Sequence, residues 1–137
     1  MVNVMAKKLI SFVLPCFNEE GNVREIAKAI IKLFDDELSN YNYELLFIDN
    51  DSKDNTRNII RELCKEDKNI KAIFNVKNFG QFNSPYYGLL NASGDAVVSI
   101  ASDFQEPVEV IPKFVKAWEE GYKIAIGVRT TSSENFN

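Results

Sequence analysis

Short apolar strands alternating with amphipathic helices predict an α/β protein: a mostly parallel sheet with helices on both faces. Three observations carry the prediction. Short apolar runs recur along the chain, each bounded by polar or turn-forming residues. Between them, apolar residues return every three or four positions, the period of a helix. Finally, prolines, acids and amides gather directly after the strands, at the sheet edge where such folds hold their ligands.

Leu9 to Leu14 is apolar except for Ser11 and reads as a strand buried on both faces. Asn22 stands three residues before Glu25, a capping-box-like helix start. Val23, Ile26, Ala27, Ile30, Ile31, Phe34 and Leu38 then form one apolar stripe. Tyr43 to Ile48 is the second strand, and Ile59, Ile60, Leu63 and Cys64 give the second helix its apolar face. Ile70 to Val76 is the third strand. A weaker helix covers roughly Ser84 to Ala92, with Pro85 tolerable only in its first turn. Ala96 to Ile100 is the fourth strand. Ile111, Phe114, Val115 and Trp118 mark the next helix, with Pro112 near its start, and Ile124 to Val128 is the fifth strand.

The chain has 137 residues, the size of a single domain spanning 1–137. Sixteen Lys and Arg against twenty Asp and Glu leave a net charge of −4, with no basic cluster of the kind nucleic acid requires. There is no histidine, which removes Ser-His-Asp and Cys-His catalysis and leaves carboxylates as the natural metal ligands. Cys16 and Cys64 lack metal-ligand spacing. They read as a reduced pair in a cytosolic protein, with a disulfide as the alternative. No apolar run reaches the ~18 residues of a membrane helix, and Met1 to Lys8 is not a signal peptide, so the chain is expected to be soluble.

The segments after the strands each admit two readings. Pro15 to Glu20 offers Asn18 and Glu19 at the sheet mouth, or is an ordinary turn with an acidic helix start. Asp49 to Thr56 is dense in short acceptors that suit a base and a ribose, or cap the next helix through Ser52 or Asp54. It is not a calcium loop, because Asp54 and Ile60 replace the glycine and glutamate an EF-hand needs. Gly80 relieves a tight turn. Asp103 and Gln105 could address one cation, while Glu106 and Pro107 could simply begin a helix. Arg129, after the fifth strand, suits a phosphate. Each segment alone is weak evidence; all of them at one edge of one sheet point to a site. A dinucleotide glycine fingerprint and a P-loop are both missing. A receiver-like domain would need an aspartate where Lys77-Asn78 stands.

Taken together these strings resemble family 2 glycosyltransferases. Leu14-Pro15-Cys16-Phe17-Asn18-Glu19-Glu20 resembles the first motif of that family, and Ile48-Asp49-Asn50-Asp51-Ser52-Lys53-Asp54 its Asp-Asp-Gly-Ser-x-Asp segment. Lys77-Asn78-Phe79-Gly80, Gly88 and Ala92-Ser93-Gly94-Asp95 resemble the stretch before the metal motif. Ser102-Asp103-Phe104-Gln105-Glu106-Pro107-Val108-Glu109 resembles the Asp-x-Asp-Leu-Gln-Asp-Pro-Pro-Glu segment of the polyprenyl-phosphate branch, which includes dolichyl-phosphate mannose synthases and bactoprenol glucosyltransferases. The resemblance runs from Leu9 to Arg129.

It implies a Rossmann-like sheet, the nucleotide-binding half of a GT-A fold. Pro15, Phe17 and Glu19 would contact the nucleoside, and Asp49 and Asn50 would read base and ribose, with Asp51 and Ser102 completing the nucleotide site. Asp103 and Gln105 would hold Mg²⁺ or Mn²⁺ on the diphosphate, which Arg129 would face. The implied donor is a nucleoside-diphosphate sugar, uridine first and guanosine second. The implied acceptor is a polyprenyl phosphate or a glycan, and the transfer is inverting. An acceptor half is expected to follow, so the chain reads as truncated at its C-terminus, with any membrane contact made by the missing part. The full-length protein would work in the cytoplasm at the inner face of the membrane. Two departures stand out: Asn50-Asp51 replaces Asp-Gly, and Ala101 replaces the first acid of the Asp-x-Asp pair. With one acid left, metal is expected to bind with nucleotide and hardly without it. No catalytic base is assigned. Ala101 also favours an alternative, a non-catalytic nucleotide-binding or regulatory module of the same fold.

Overall fold

The computed structural model describes residues 5–128. Four strands, β1 (Leu9–Cys16), β2 (Asn42–Asp49), β3 (Ile70–Phe74) and β4 (Ala96–Ser99), alternate with helices α1 (Val23–Glu37), α2 (Thr56–Glu66) and α3 (Gly80–Asn91). A short 3₁₀ turn, Val108–Val110, leads into α4 (Ile111–Glu119). The sheet order is β3-β2-β1-β4 and every pairing is parallel. From β1 the chain steps outward to β2 and β3, then returns to the far side of β1 as β4. The topological switch point therefore lies between β1 and β4, where open α/β sheets form their binding crevice.

Alternation along the strands splits the core. Ile10, Phe12, Leu14, Leu45 and Phe47 pack with Val23, Ile26, Ile30 and Phe34 of α1, Ile60 and Leu63 of α2, and Ile111 and Val115 of α4. The opposite face, at Val13 and Ile48, lies under α3. Gly88 allows that close approach: a β-carbon there would lie 2.7 Å from Val13 Cγ1 and 3.4 Å from Ile48 Cγ2. At the N-terminal end of the strands a buried polar cluster holds this face. Glu44 accepts from Ser11 Oγ at 2.8 Å, Ser93 N at 2.9 Å and Lys71 Nζ at 2.5 Å.

Four local expectations change. Ile124 to Val128 forms no strand; Ile124, Ile126 and Val128 are each 79% exposed. An apolar run becomes a strand only where a neighbour completes its ladder, and none does so among the described residues. Asn22 makes no side-chain cap on α1; its Nδ2 donates to Glu19 Oε2 at 2.7 Å, and Glu25 pairs with Lys28 instead. The weak third helix begins at Gly80, so Pro85 lies inside it rather than in its first turn. The third strand stops at Phe74, because Asn75 turns its side chain to Ser84 and Asn50.

Candidate functional site

A cleft of about 410 Å³ opens at the switch point, framed by Pro15–Phe17, Asn50, the start of α3 and Ala101–Asp103. A larger groove, about 1330 Å³, runs along β4 and α4. Of the described candidate residues only Gln105 lines it, while Pro15, Phe17, Glu19, Asn50, Ser102 and Asp103 line the smaller cleft and Asp49 and Asp51 line neither.

The loops after β1 and β2 are laced together. Ser52 Oγ accepts from Asn18 N at 2.8 Å, and Asn18 Oδ1 accepts from Lys53 N at 2.8 Å. Thr56 Oγ1 accepts from Glu19 N at 2.8 Å, and Glu20 Oε2 accepts from Asn55 N at 2.8 Å. Asp54 Oδ1 accepts from Thr56 N at 3.0 Å at the head of α2. Thus the dense acceptors of the second loop do serve backbone amides, and in doing so they lock Phe17 and Glu19 at the cleft wall. Asn18, Asp51 and Phe104, one in each of the three loops, have φ of 54°, 69° and 60°. Left-handed backbone is costly for non-glycine residues and collects where a site over-determines it.

Asp49 ends β2 and is fully buried. Its Oδ2 accepts from Ser52 N at 3.1 Å and from Arg57 Nε at 2.5 Å, while Oδ1 has no partner. Asn50 lines the cleft, but its amide is committed to the third loop: Nδ2 donates to Asn78 Oδ1 at 2.8 Å, and Oδ1 accepts from Phe79 N at 2.8 Å. Asn50, one of the two residues expected to read base and ribose, thus stands on the cleft wall and also braces Asn78–Gly80. Asp51 is ion-paired with Lys53 at 2.8 Å and lies outside the cleft.

From the fourth loop, Ser102 is buried and donates to the Pro15 carbonyl at 2.9 Å, tying β4 to β1 across the cleft floor. Asp103 faces the cleft and its Oδ1 accepts from Gln105 N at 3.1 Å. The structure does not bring Gln105 into the same cleft. Among the described residues no group of three acids or cysteines converges as a metal cage. Asp103 and Glu19 are the carboxylates on the cleft wall, oxygen donors of the kind a hard cation shared with substrate phosphates would take. Arg129 lies outside the described residues.

Cys16 lines the cleft as an inert wall. Burial, then the charges of Asp49, Glu19 and Asp54, push its thiol far above the usual range, against thiolate chemistry. Both cysteines are free, and burial also raises Cys64. Sequence reasoning missed Arg57, Asn75 and Asn78, whose roles depend on how separate loops meet. Asn78, in the motif string, was the one with a local signal.

The family model described as "Glycosyl transferase family 2" matches residues 11–137. A prophage bactoprenol glucosyl transferase homolog of Escherichia coli is 36% identical over 124 residues, 90% of this chain and 40% of that protein. An undecaprenyl-phosphate 4-deoxy-4-formamido-L-arabinose transferase of Proteus mirabilis is 32% identical, covering 92% of this chain and 38% of its own length. The chain thus spans about 40% of the curated relatives it matches. A mannosyltransferase of Pyrobaculum calidifontis, solved with GDP-Man and Mn²⁺, superposes with a TM-score of 0.67 at 19% identity, over 81% of this chain and 32% of that one. TarS of S. aureus, solved with UDP-GlcNAc, gives 0.65 at 21% identity, over 81% and 31%. The sheet therefore has the GT-A fold of these neighbours. With the family pattern running unbroken through residues 11–137, the chain belongs to glycosyl transferase family 2.

Proposed function

We propose that the switch-point cleft binds the nucleoside diphosphate of a nucleotide sugar, and that the protein passes the sugar to a polyprenyl phosphate. The cleft itself carries this reading: loops from β1, β2 and β4, distant in sequence, meet there with the family's motif residues on its walls. Phe17 and Pro15 offer apolar surface to a nucleoside, with Asn50 beside them on the cleft wall. Uridine stands first and guanosine second as donor bases, the order the family resemblance implies. The two superposing transferases were solved with one of each class.

The transfer breaks the bond between the anomeric carbon and the diphosphate oxygen and forms one to the acceptor oxygen from the opposite face. The electron pair leaves on the diphosphate. Asp103 would hold a Mg²⁺ or Mn²⁺ ion, which when bound offsets the charge growing on that leaving group. Arg129 would add to the same offset. A phosphate acceptor is already ionised near neutral pH, so the chain needs no base to take a proton from it. The relatives named for bactoprenol and undecaprenyl phosphate support that acceptor class; action at the cytoplasmic membrane face belongs to the same proposal. Among the described residues no helix is long and apolar enough to cross a membrane. Ala101 supports one other reading, a nucleotide-binding module without transfer activity.

Thermal unfolding with UDP, GDP or ADP, each with and without Mn²⁺, tests the proposal. Ligand at 100 times its dissociation constant adds about 2.7 kcal/mol of stability, a rise of several degrees. The expected result is a UDP shift enlarged by Mn²⁺, with Mn²⁺ alone doing little. A GDP-only shift moves the donor class. A folded protein that responds to no nucleotide overturns the reading.

A further inference from the structure

We propose that the outward face of α3 is a docking surface for an anionic lipid bilayer, with Phe82, Tyr86 and Leu90 turned into the headgroup region. This rests on the lipid-phosphate reading of the acceptor, since docking there brings the head of α3, and the cleft wall it forms, to the level of such a phosphate.

The packing of α3 reverses the usual pattern. A surface helix normally turns its large apolar residues inward. Here the small residues Ser84 and Gly88 are the buried ones. Phe82, Tyr86 and Leu90 recur at helical spacing on the opposite side and are 77%, 62% and 65% exposed. Tyr87, and Phe79 at the helix head, widen the exposed strip. A contiguous apolar strip of this kind marks an interaction surface. Its chemistry favours lipid: tyrosine and phenylalanine suit the bilayer interface, where the ring is buried and the tyrosine hydroxyl stays wet. Charge points the same way. Twenty of the 137 residues are acidic, yet none stands between Asp67 and Asp95, the stretch that holds β3 and α3. Its charged residues are Lys68, Lys71 and Lys77. Lys71 is paired with Glu44, whereas Lys77 is exposed, its Nζ 5.2 Å from the centre of the Phe79 ring. A cation beside aromatic residues, on a stretch with no carboxylate to repel, fits anionic headgroups. The strip is also continuous with the site, because Gly80, Gln81, Ser84 and Pro85 of the same helix line the cleft.

Co-sedimentation with phosphatidylglycerol-rich vesicles, against pure phosphatidylcholine, tests the surface. Wild type should bind the anionic vesicles, and less so as salt rises. Combining Phe82→Gln with Tyr86→Gln should weaken that binding by about tenfold through lost apolar contact. Lys77→Gln should weaken it by about fivefold, on anionic vesicles only. Both variants should keep the thermal shift with nucleotide, because none of these three side chains lines the cleft. The chain's one tryptophan, Trp118, lies on α4, across the sheet from α3. Brominated acyl chains should therefore quench Phe82→Trp and leave the wild-type emission unchanged. Wild type that binds nucleotide but no vesicles overturns the docking surface and leaves the nucleotide site standing. Equal vesicle binding by wild type and the double variant overturns it too. So does a wild-type dimer that the double variant loses, with no vesicle binding, since the strip would then be a protein contact. Vesicle binding that the double variant loses, with no response to any nucleotide, supports the surface and sinks the reading of the cleft.

Discussion

Asp51 shows how one residue records a constraint of the site. It sits at φ 69°, at the position where the family motif usually has glycine. Aspartate enters left-handed backbone more readily than most residues, and here its carboxylate is held by Lys53 and approached by Arg57. Replacing it by alanine and by glycine removes the carboxylate equally, so their difference isolates the backbone. Asp51→Ala is expected to be less stable than Asp51→Gly by about 1 kcal/mol, measured by urea unfolding; equal stabilities would mean that the turn relaxes. The left-handed turn was legible in the motif comparison, since a glycine position implies it. The bracing by Asn50 and the clamp by Arg57 were not. Both depend on where β3 ends and on the phase of α2, and neither is written in the residues flanking them.

The helices differ in how clearly their sequences announce them. α1 carries an apolar stripe against a charged face, and its buried residues Val23, Ile26, Ala27, Ile30 and Phe34 match the periodic set, with Leu33 added. α3 has no charged residue, and it exposes Phe82, Tyr86, Tyr87 and Leu90, so neither face stands out by polarity. Its start was therefore placed late. The supposed fifth strand failed for the opposite reason: Ile124 to Val128 is apolar enough, but periodicity cannot say whether a partner strand lies beside it. What seats α3 is Gly88. In an exposed helix Gly→Ala gains about 1 kcal/mol, but here the new methyl meets Val13, which is fully buried and cannot withdraw. Gly88→Ala should therefore lower stability by about 1–2 kcal/mol and reduce nucleotide affinity, since Gln81, Ser84 and Pro85 of the same helix line the cleft. A variant as stable as wild type would show that α3 can lift without cost.

The molecule as a whole should feel acid through the end of the sheet farthest from the cleft. Burial alone would raise the Glu44 carboxyl, but the Lys71 ammonium, the Ser93 amide and the Ser11 hydroxyl outweigh it and hold the group at about 2, against an ordinary 4.5. A carboxyl depressed on folding stabilises the native state fully above its unfolded value and loses that contribution as pH falls toward the folded one. The window is therefore about pH 4.5 down to about pH 2. Allowing for screening at the half-exposed Lys71, the loss should be on the order of 2 kcal/mol. Urea unfolding from pH 5 to 2 should show it in wild type, and a flatter profile in Glu44→Gln; identical slopes would place the acid sensitivity elsewhere.

The all-parallel order also sets a schedule. With no hairpin among the described strands, each ladder must wait for a helix-long excursion of the chain, and the last one, β1 with β4, is braced by a Leu9–Asp95 hydrogen bond spanning 86 positions. Such non-local closures are slow. As the chain emerges during synthesis, β1, β2 and β3 can assemble first, while the other edge of β1 stays open until β4 arrives. That edge carries Ile10, Phe12 and Leu14, and during the wait a second nascent chain could pair with it as readily as β4 does. The strand that forms the floor of the site is thus also the one whose protection comes last.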